Sequence, residues 1–442
     1  MPSDHPVRAP SVCINCKARK KKCDKVSPTC GYCSRKGLQC HYRRPKAAVY
    51  YARPEDGAPS YSGLAEVPDF NSVMRLSAAP TVREKTLSLQ AQQIISTTGQ
   101  YLDEISVRYF QTVHSYIPII SRKAFHASLI TFGSAQQPDF ALLMLIMGLL
   151  TYRPIPDADT TALYLSSRSL FLQAQALCKP SLRLVQAGIL LAVYEYSRRS
   201  PDHALITLGG CVRMAHSTGL RRPSCLPGCK PPGDSAGDEA FTEHTNKWWG
   251  ILIYERLSLC EQVVIDQPLV SQTPEISLTS SAQDGFCQAA QAAWLLDRVL
   301  GGLSTPDSED RHTRLQGLDL KLQSFLVATS EPSLGASGAY CWAISIAIRT
   351  MFLLHHRLLG SEQVSSNGPV SSSLAALDTL TRMVVDIADL HEQFSADQLD
   401  GLPPSYGYII RSALENVYSK NSEVATRLKV LKVVKERWGA GG

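Results

Sequence analysis

At 442 residues, 44% of them hydrophobic and 19% charged, with a formal net charge of +6, the chain has ample length for a substantial buried core. Its first ten residues, MPSDHPVRAP, contain no apolar segment of the kind a secretory signal needs, and no asparagine opens an N-x-S/T acceptor, which argues against a secreted, disulfide-framed protein. The 13 cysteines are therefore read as reduced thiols.

Residues 1–12 are expected to be disordered. Between Cys13 and Cys40 six cysteines fall within 28 positions, and Cys13, Cys16 and Cys23 recur as Cys30, Cys33 and Cys40, a duplication of C-x2-C-x6-C displaced by 17 residues. A C-x2-C pair lets two thiolates meet one tetrahedral zinc. Two zinc ions need eight ligand positions and six cysteines supply six, so two thiolates must bridge. The duplication nominates Cys13 and Cys30, giving one zinc Cys13, Cys16, Cys23 and Cys30 and the other Cys30, Cys33, Cys40 and Cys13. Disulfides and two independent sites are the competing readings of the same thiols.

Charge separates the two halves. Lys17, Arg19, Lys20, Lys21 and Lys22 fill the first half between its second and third cysteines, whereas the matching stretch of the second half runs Ser34, Arg35, Lys36, Gly37, Leu38, Gln39. Residues 1–46 carry twelve Lys or Arg against Asp4 and Asp24, a net +10 that leaves the rest of the chain at −4. Two zinc ions with six thiolates lower the module to about +8, a polyanion-binding surface on a very small scaffold.

The motif C-x2-C-x6-C-x6-C-x2-C-x6-C, with a basic run after Cys16 and Pro28 in the central loop, resembles the fungal binuclear zinc cluster DNA-binding domain. The resemblance implies a two-zinc module over 13–42 in which Arg19 and Lys20 read the bases of a CGG triplet and Lys17, Lys22 and Lys25 contact phosphates. Lys17 stands where many members have Arg, so a point charge replaces a bidentate clamp there.

Residues 43–98, rich in Pro, Ser, Ala and Gly, read as a linker. Many members of the family carry a dimerising coiled coil here. This stretch has no three consecutive heptads, so a homodimer gains no support from it. Arg43, Arg44 and Lys46, with Lys17 to Lys22, fit a nuclear import signal or the DNA contacts themselves.

From 99 to 442 the sequence reads as one large helical domain. Leu102, Ile105, Tyr109 and Val113 repeat at helical spacing; FALLMLIMGLLTY (140–152) and LVQAGILLAVYEY (184–196) read as buried core helices, the former too short to span a bilayer. YFQTVHSYIPIISRKAF (109–125), ALITLGGCVRMAHSTGLRRP (204–223) and KWWGILIYERLSL (247–259) resemble blocks of the fungal-specific transcription factor regulatory domain. In the last block Glu255 stands where members commonly have aspartate before Arg256. Trp248 and Trp249 read as core aromatics, Arg256 as the partner of a buried acid, and Gly219 as a helix stop.

Chemistry elsewhere has little to rest on. Cys225 and Cys229 lack a second pair, His355 and His356 are adjacent and cannot form an i, i+4 metal pair, and no nucleophile elbow, phosphate loop or dinucleotide motif occurs. The acidic stretch 383–402 reads as an amphipathic core helix or an activation segment. A terminal stripe of Val424, Leu428, Leu431, Val434 and Trp438 reads as a docked helix.

The expected fold is therefore mostly α: a small two-zinc, six-cysteine cluster, a flexible linker and a large all-α regulatory domain. The expected function is a nuclear, non-enzymatic transcription regulator. Its expected partners are double-stranded DNA and the transcription machinery or coregulators, with no membrane. A zinc-dependent protein-interaction or corepressor module without specific DNA binding is the alternative.

Overall fold

The structure, a computed structural model, describes residues 12–26, 28–38, 40, 80–132, 137–152, 160–228, 238–262, 285–306, 308–329, 338–361, 369–391 and 401–418. The chain divides into two compact units, Met1–Asn71 and Ser72–Gly442. Among the described residues every extended element is helical and there is no β-strand element. The first unit holds two one-turn helices, α1 (Ile14–Ala18) and α2 (Gly31–Arg35).

The second unit opens with α3 (Pro80–Thr98), α4 (Leu102–Gln111), a 3-10 turn at Val113–Ser115, α5 (Arg122–Thr131) and α6 (Pro138–Thr151). It continues through α7 (Thr161–Leu177), α8 (Leu182–Arg198), α9 (Pro201–Ser217) and α10 (Asp238–Cys260). The described chain then ends with α11 (Gly285–Leu303), α12 (Glu309–Thr329), α13 (Gly338–Ser361), α14 (Pro369–His391) and α15 (Ser405–Tyr418). None of the helices searched is long and apolar enough to cross a membrane.

Local chemistry sets the helix ends. Ser121 and Ser181 cap α5 and α8, their hydroxyls accepting from the backbone N–H groups of Ala124 and Leu184 at 3.3 and 3.2 Å. Pro138 and Pro201 open α6 and α9, where a missing N–H costs nothing. At the end of α9, Gly219 takes φ +77° while the N–H groups of Gly219 and Leu220 bond back to the carbonyls of His216 and Ala215. This closing motif needs a left-handed residue, and glycine supplies it without a steric penalty.

The apolar runs at 140–152 and 184–196 lie in α6 and α8, each buried along nearly its whole length. They form the middle of a core to which α3 through α11 contribute. A second cluster joins α11 through α15. Helix α11 serves both: Phe286 and Ala289 pack into the first and Leu295 and Val299 into the second, so it is buried on almost every side. At this seam the Tyr408 hydroxyl donates to the Tyr196 carbonyl at 2.7 Å and the two rings stack at 4.5 Å, tying α15 to α8.

Charges inside the core are paired. Glu195 of α8 accepts from Arg168 at 2.9 Å, Tyr164 at 3.0 Å and Thr207 at 2.6 Å. The fully buried Arg256 donates from Nε to Asp297 at 2.8 Å and from Nη1 to Glu255. Buried charge is tolerated only with this degree of satisfaction, and Arg256 thereby pins α10 to α11. Trp248 and Trp249 are both buried, Trp249 donating to the Cys225 carbonyl at 3.1 Å.

Three places differ from the sequence reading or refine it. Residues 80–98, read as linker, form α3, whose Leu87, Ala91 and Ile95 are buried. This stripe of three modest side chains at four-residue spacing, set among Ser, Thr and Gln, is held by tertiary packing rather than by a strong amphipathic pattern. Residues 383–391 lie in α14 with Val384, Val385 and Ala388 buried and Asp386 and Asp389 exposed, a core-packing helix; 392–400 lie outside the described residues. His355 is buried with its Nε2 3.3 Å from Asp319, whereas His356 is exposed. Residues 1–11, 43–79, Cys229 and the stripe from Val424 to Trp438 also lie outside the described residues.

Candidate metal centre and nucleic-acid interface

Each short helix of the first unit is started by a cysteine. Cys13 and Cys30 occupy the N-cap positions with nearly identical backbone angles, φ −67° and ψ 154° against φ −70° and ψ 152°. Their sulfurs accept from the N–H groups of Cys16 and Cys33, both at 3.4 Å. The side chain that would usually be a serine or aspartate cap is thus a thiol, which turns the start of each helix into a ligand platform.

The six sulfurs gather into two groups of four, Cys13, Cys16, Cys23 and Cys30, and Cys13, Cys30, Cys33 and Cys40, with all sulfurs of a group within 4.8 Å of one another. Cys13 and Cys30 belong to both. The Cys13–Cys30, Cys13–Cys33 and Cys16–Cys30 sulfur distances are 3.8, 3.7 and 3.6 Å. A tetrahedral zinc with bonds of about 2.3 Å requires an edge of about 3.8 Å between sulfurs, whereas a disulfide requires about 2.05 Å. The donor set therefore fits two zinc ions sharing two thiolates, and the sulfurs are not disulfide-bonded.

Crowding sets the thiols apart. Burial pushes Cys13 and Cys16 up and Cys33 up to about 12. Burial acts upward on Cys30 as well, but the Cys33 N–H and the thiols of Cys33, Cys16 and Cys23 outweigh it and bring Cys30 down to about 6.

Both helices also end alike. The N–H groups of Lys20 and Lys21 bond to the carbonyls of Lys17 and Cys16 at 3.2 and 2.9 Å, and those of Gly37 and Leu38 to the carbonyls of Ser34 and Cys33 at 3.2 and 3.0 Å. In this closing motif the first residue past the cap turns left-handed: Gly37 at φ +61° in the second half, Lys20 at φ +51° in the first. Lys25 is left-handed too, at φ +63°. Sequence reasoning gave no sign that a lysine would hold the glycine position.

Lys17, Arg19, Lys20, Lys21 and Lys22 are all exposed, and Lys25 is half-buried. Both short helices end in exposed cations, Lys17 and Arg19 on α1 and Arg35 and Lys36 on α2, but only in the first half does the basic run continue through the turn, as Lys20 and Lys21 where the second half has Gly37 and Leu38. Asp24, the one acid among the described residues of this unit, accepts from the Gly31 N–H at 2.9 Å and the Val26 N–H at 3.3 Å. Its charge is tied to the start of α2 rather than to the basic run, a role the sequence signalled only through its being a lone acid among cations.

A family model described as the fungal Zn(2)-Cys(6) binuclear cluster domain matches residues 11–48, and one described as the fungal specific transcription factor domain matches residues 107–256. Among individual proteins, the transcription factor BOA15 of Botryotinia fuckeliana (strain B05.10) is 33% identical over 120 residues, which cover 27% of this chain and 67% of that protein.

Proposed function

The chain belongs to the fungal Zn(2)-Cys(6) transcription factors, binding two zinc ions and DNA, and from that premise we propose that it is a nuclear regulator of transcription that recognises CGG-type sites in double-stranded DNA. One observation carries the reading: two four-sulfur groups sharing Cys13 and Cys30 hold a duplicated backbone on which only the first half carries its exposed basic run on through the turn, from Lys17 to Lys22. Each group would hold one zinc, with Cys13 and Cys30 belonging to both ligand sets. The metal cross-links and neutralises thiolates that no disulfide joins, and the chain's own residues do the rest.

Arg19 and Lys20 reach the bases, where a guanine offers O6 and N7 to a cationic donor in the major groove. Lys17, Lys22 and Lys25 hold phosphates and fix the register, contributing affinity that falls with salt. The helical unit, with its paired interior charges and no grouping of metal-ligating side chains among its described residues, suits control of activity and contact with coregulators rather than catalysis. Activation of a metabolic or secondary-metabolite gene cluster is the role we assign, on analogy with the family.

The test is selection from a random duplex library by the zinc-loaded protein at about 0.15 M salt, beside the Arg19→Ala/Lys20→Ala variant. Enrichment of CGG duplexes by the parent and its loss in the variant is the expected result. Binding without any enriched sequence would sink the reading and leave a protein-interaction module.

A further inference from the structure

Lys21 has no part in the contacts assigned above, yet its position is unusual. By the 17-residue repeat its counterpart is Leu38, and the two backbones are equivalent: each N–H closes the turn onto the second cysteine of its half, Cys16 at 2.9 Å and Cys33 at 3.0 Å. In this closing motif the residue after the left-handed turn ordinarily makes an apolar contact with the last helical turn. Leu38 does so, half-buried against the cysteine cluster. Lys21 is exposed, so the first half forgoes that cover.

Nothing within the described residues repays the loss. No ion pair holds Lys21, and the nearby acid, Asp24, is occupied by backbone N–H groups. Lys20 and Lys22 on either side are exposed cations as well, so the run repels itself until an anion meets it.

We propose that Lys21 is a further contact to the DNA phosphate backbone, held at a position where its counterpart Leu38 covers the metal cluster. The inference rests on the DNA-binding reading given above, and it adds a residue that sets affinity without setting sequence preference.

The experiment measures binding of the full zinc-loaded chain to a CGG duplex and to an unrelated duplex across about 0.05 to 0.3 M salt. The variants are Lys21→Leu, Lys21→Arg and Lys36→Leu, the last removing an exposed cation from the end of α2. Lys21→Leu is expected to make the slope of log affinity against log salt shallower by about 0.9 on both duplexes, and to weaken binding about fivefold at 0.15 M. Its preference for the CGG duplex and its zinc retention against a chelator should hold or improve. Lys21→Arg should restore the slope, and Lys36→Leu should leave it unchanged. An unchanged slope in Lys21→Leu, an equal loss in Lys36→Leu, or a change of sequence preference would each overturn the assignment. Failure of the parent chain to bind either duplex would instead overturn the DNA reading beneath it.

Discussion

Lys20 holds the left-handed turn at φ +51° that Gly37 holds in the other half. A side chain in that conformation costs roughly 1 kcal/mol relative to glycine, so the sequence keeps a strained lysine where the repeat shows glycine to be compatible. Such strain persists where the side chain has a use, and the base-reading role proposed for Lys20 would supply one. Lys20→Gly is therefore expected to move two properties in opposite directions. Stability of the zinc-loaded module against urea should rise by about 1 kcal/mol, while affinity for the preferred duplex falls by the 1 to 3 kcal/mol that a base contact is worth, about 5- to 150-fold. A variant that loses stability and affinity together would mean that Lys20 is structural. The cysteines were legible because ligand spacing is local and discrete. The turn was not, because φ at Lys20 follows from the way each helix closes onto its own cysteines, which a string of lysines does not announce.

Elements buried all round, such as α6 and α8, announce themselves by continuous apolar runs, and the closing glycine of α9 by its position. Helix α3 did not: Leu87, Ala91 and Ile95 form a stripe too narrow to stand out from a linker. The donors that satisfy Glu195 come from Arg168 and Tyr164 on α7 and Thr207 on α9, so no residue beside it in the sequence marks it as a paired buried acid. Contact between helices also decides what α8 tolerates. A Cβ on Gly188 would meet the Cys211 sulfur of α9 and lie 2.7 Å from Cζ of Phe171 on α7, in a core where neither neighbour has free space. Gly188→Ala should thus destabilise the helical unit by about 1 to 3 kcal/mol, read as a lower urea midpoint, despite alanine's better helix propensity. The exposed Gly317→Ala, where no atom lies within 4 Å of the added carbon, is the matched control and should be neutral or stabilising. Equal behaviour of the two would mean that α8 and α9 do not pack this closely.

The two units differ in what holds them together, and that difference has a measurable consequence for the whole molecule. The helical unit has two extensive apolar clusters, whereas among the described residues of the first unit the buried interior is Cys13, Cys16, Cys30 and Cys33, with Cys23, Tyr32, Leu38 and Cys40 around them. Thiols without metal cannot sustain a unit of that size, so zinc binding and folding of the first unit are one equilibrium. Burial raises Cys13 and Cys16 and takes Cys33 up to about 12, so at neutral pH the metal-free cluster carries protons on these sulfurs that zinc must displace. Zinc affinity therefore rises with pH and falls in acid. Cys30, lowered to about 6, contributes an ionised sulfur above that pH, and its contribution is lost as pH drops through about 6. Titrating the holoprotein from about pH 7.5 to 5 with a colorimetric zinc chelator present should release both metals with a steepening below about pH 6, and DNA binding should vanish with them. The far-ultraviolet helical signal and the melting transition of Ser72–Gly442 should stay in place, since this unit is compact by itself and has its own apolar clusters. Zinc release insensitive to pH would exclude thiolate ligation; a helical unit that melts as the metal leaves would show that the two units fold as one.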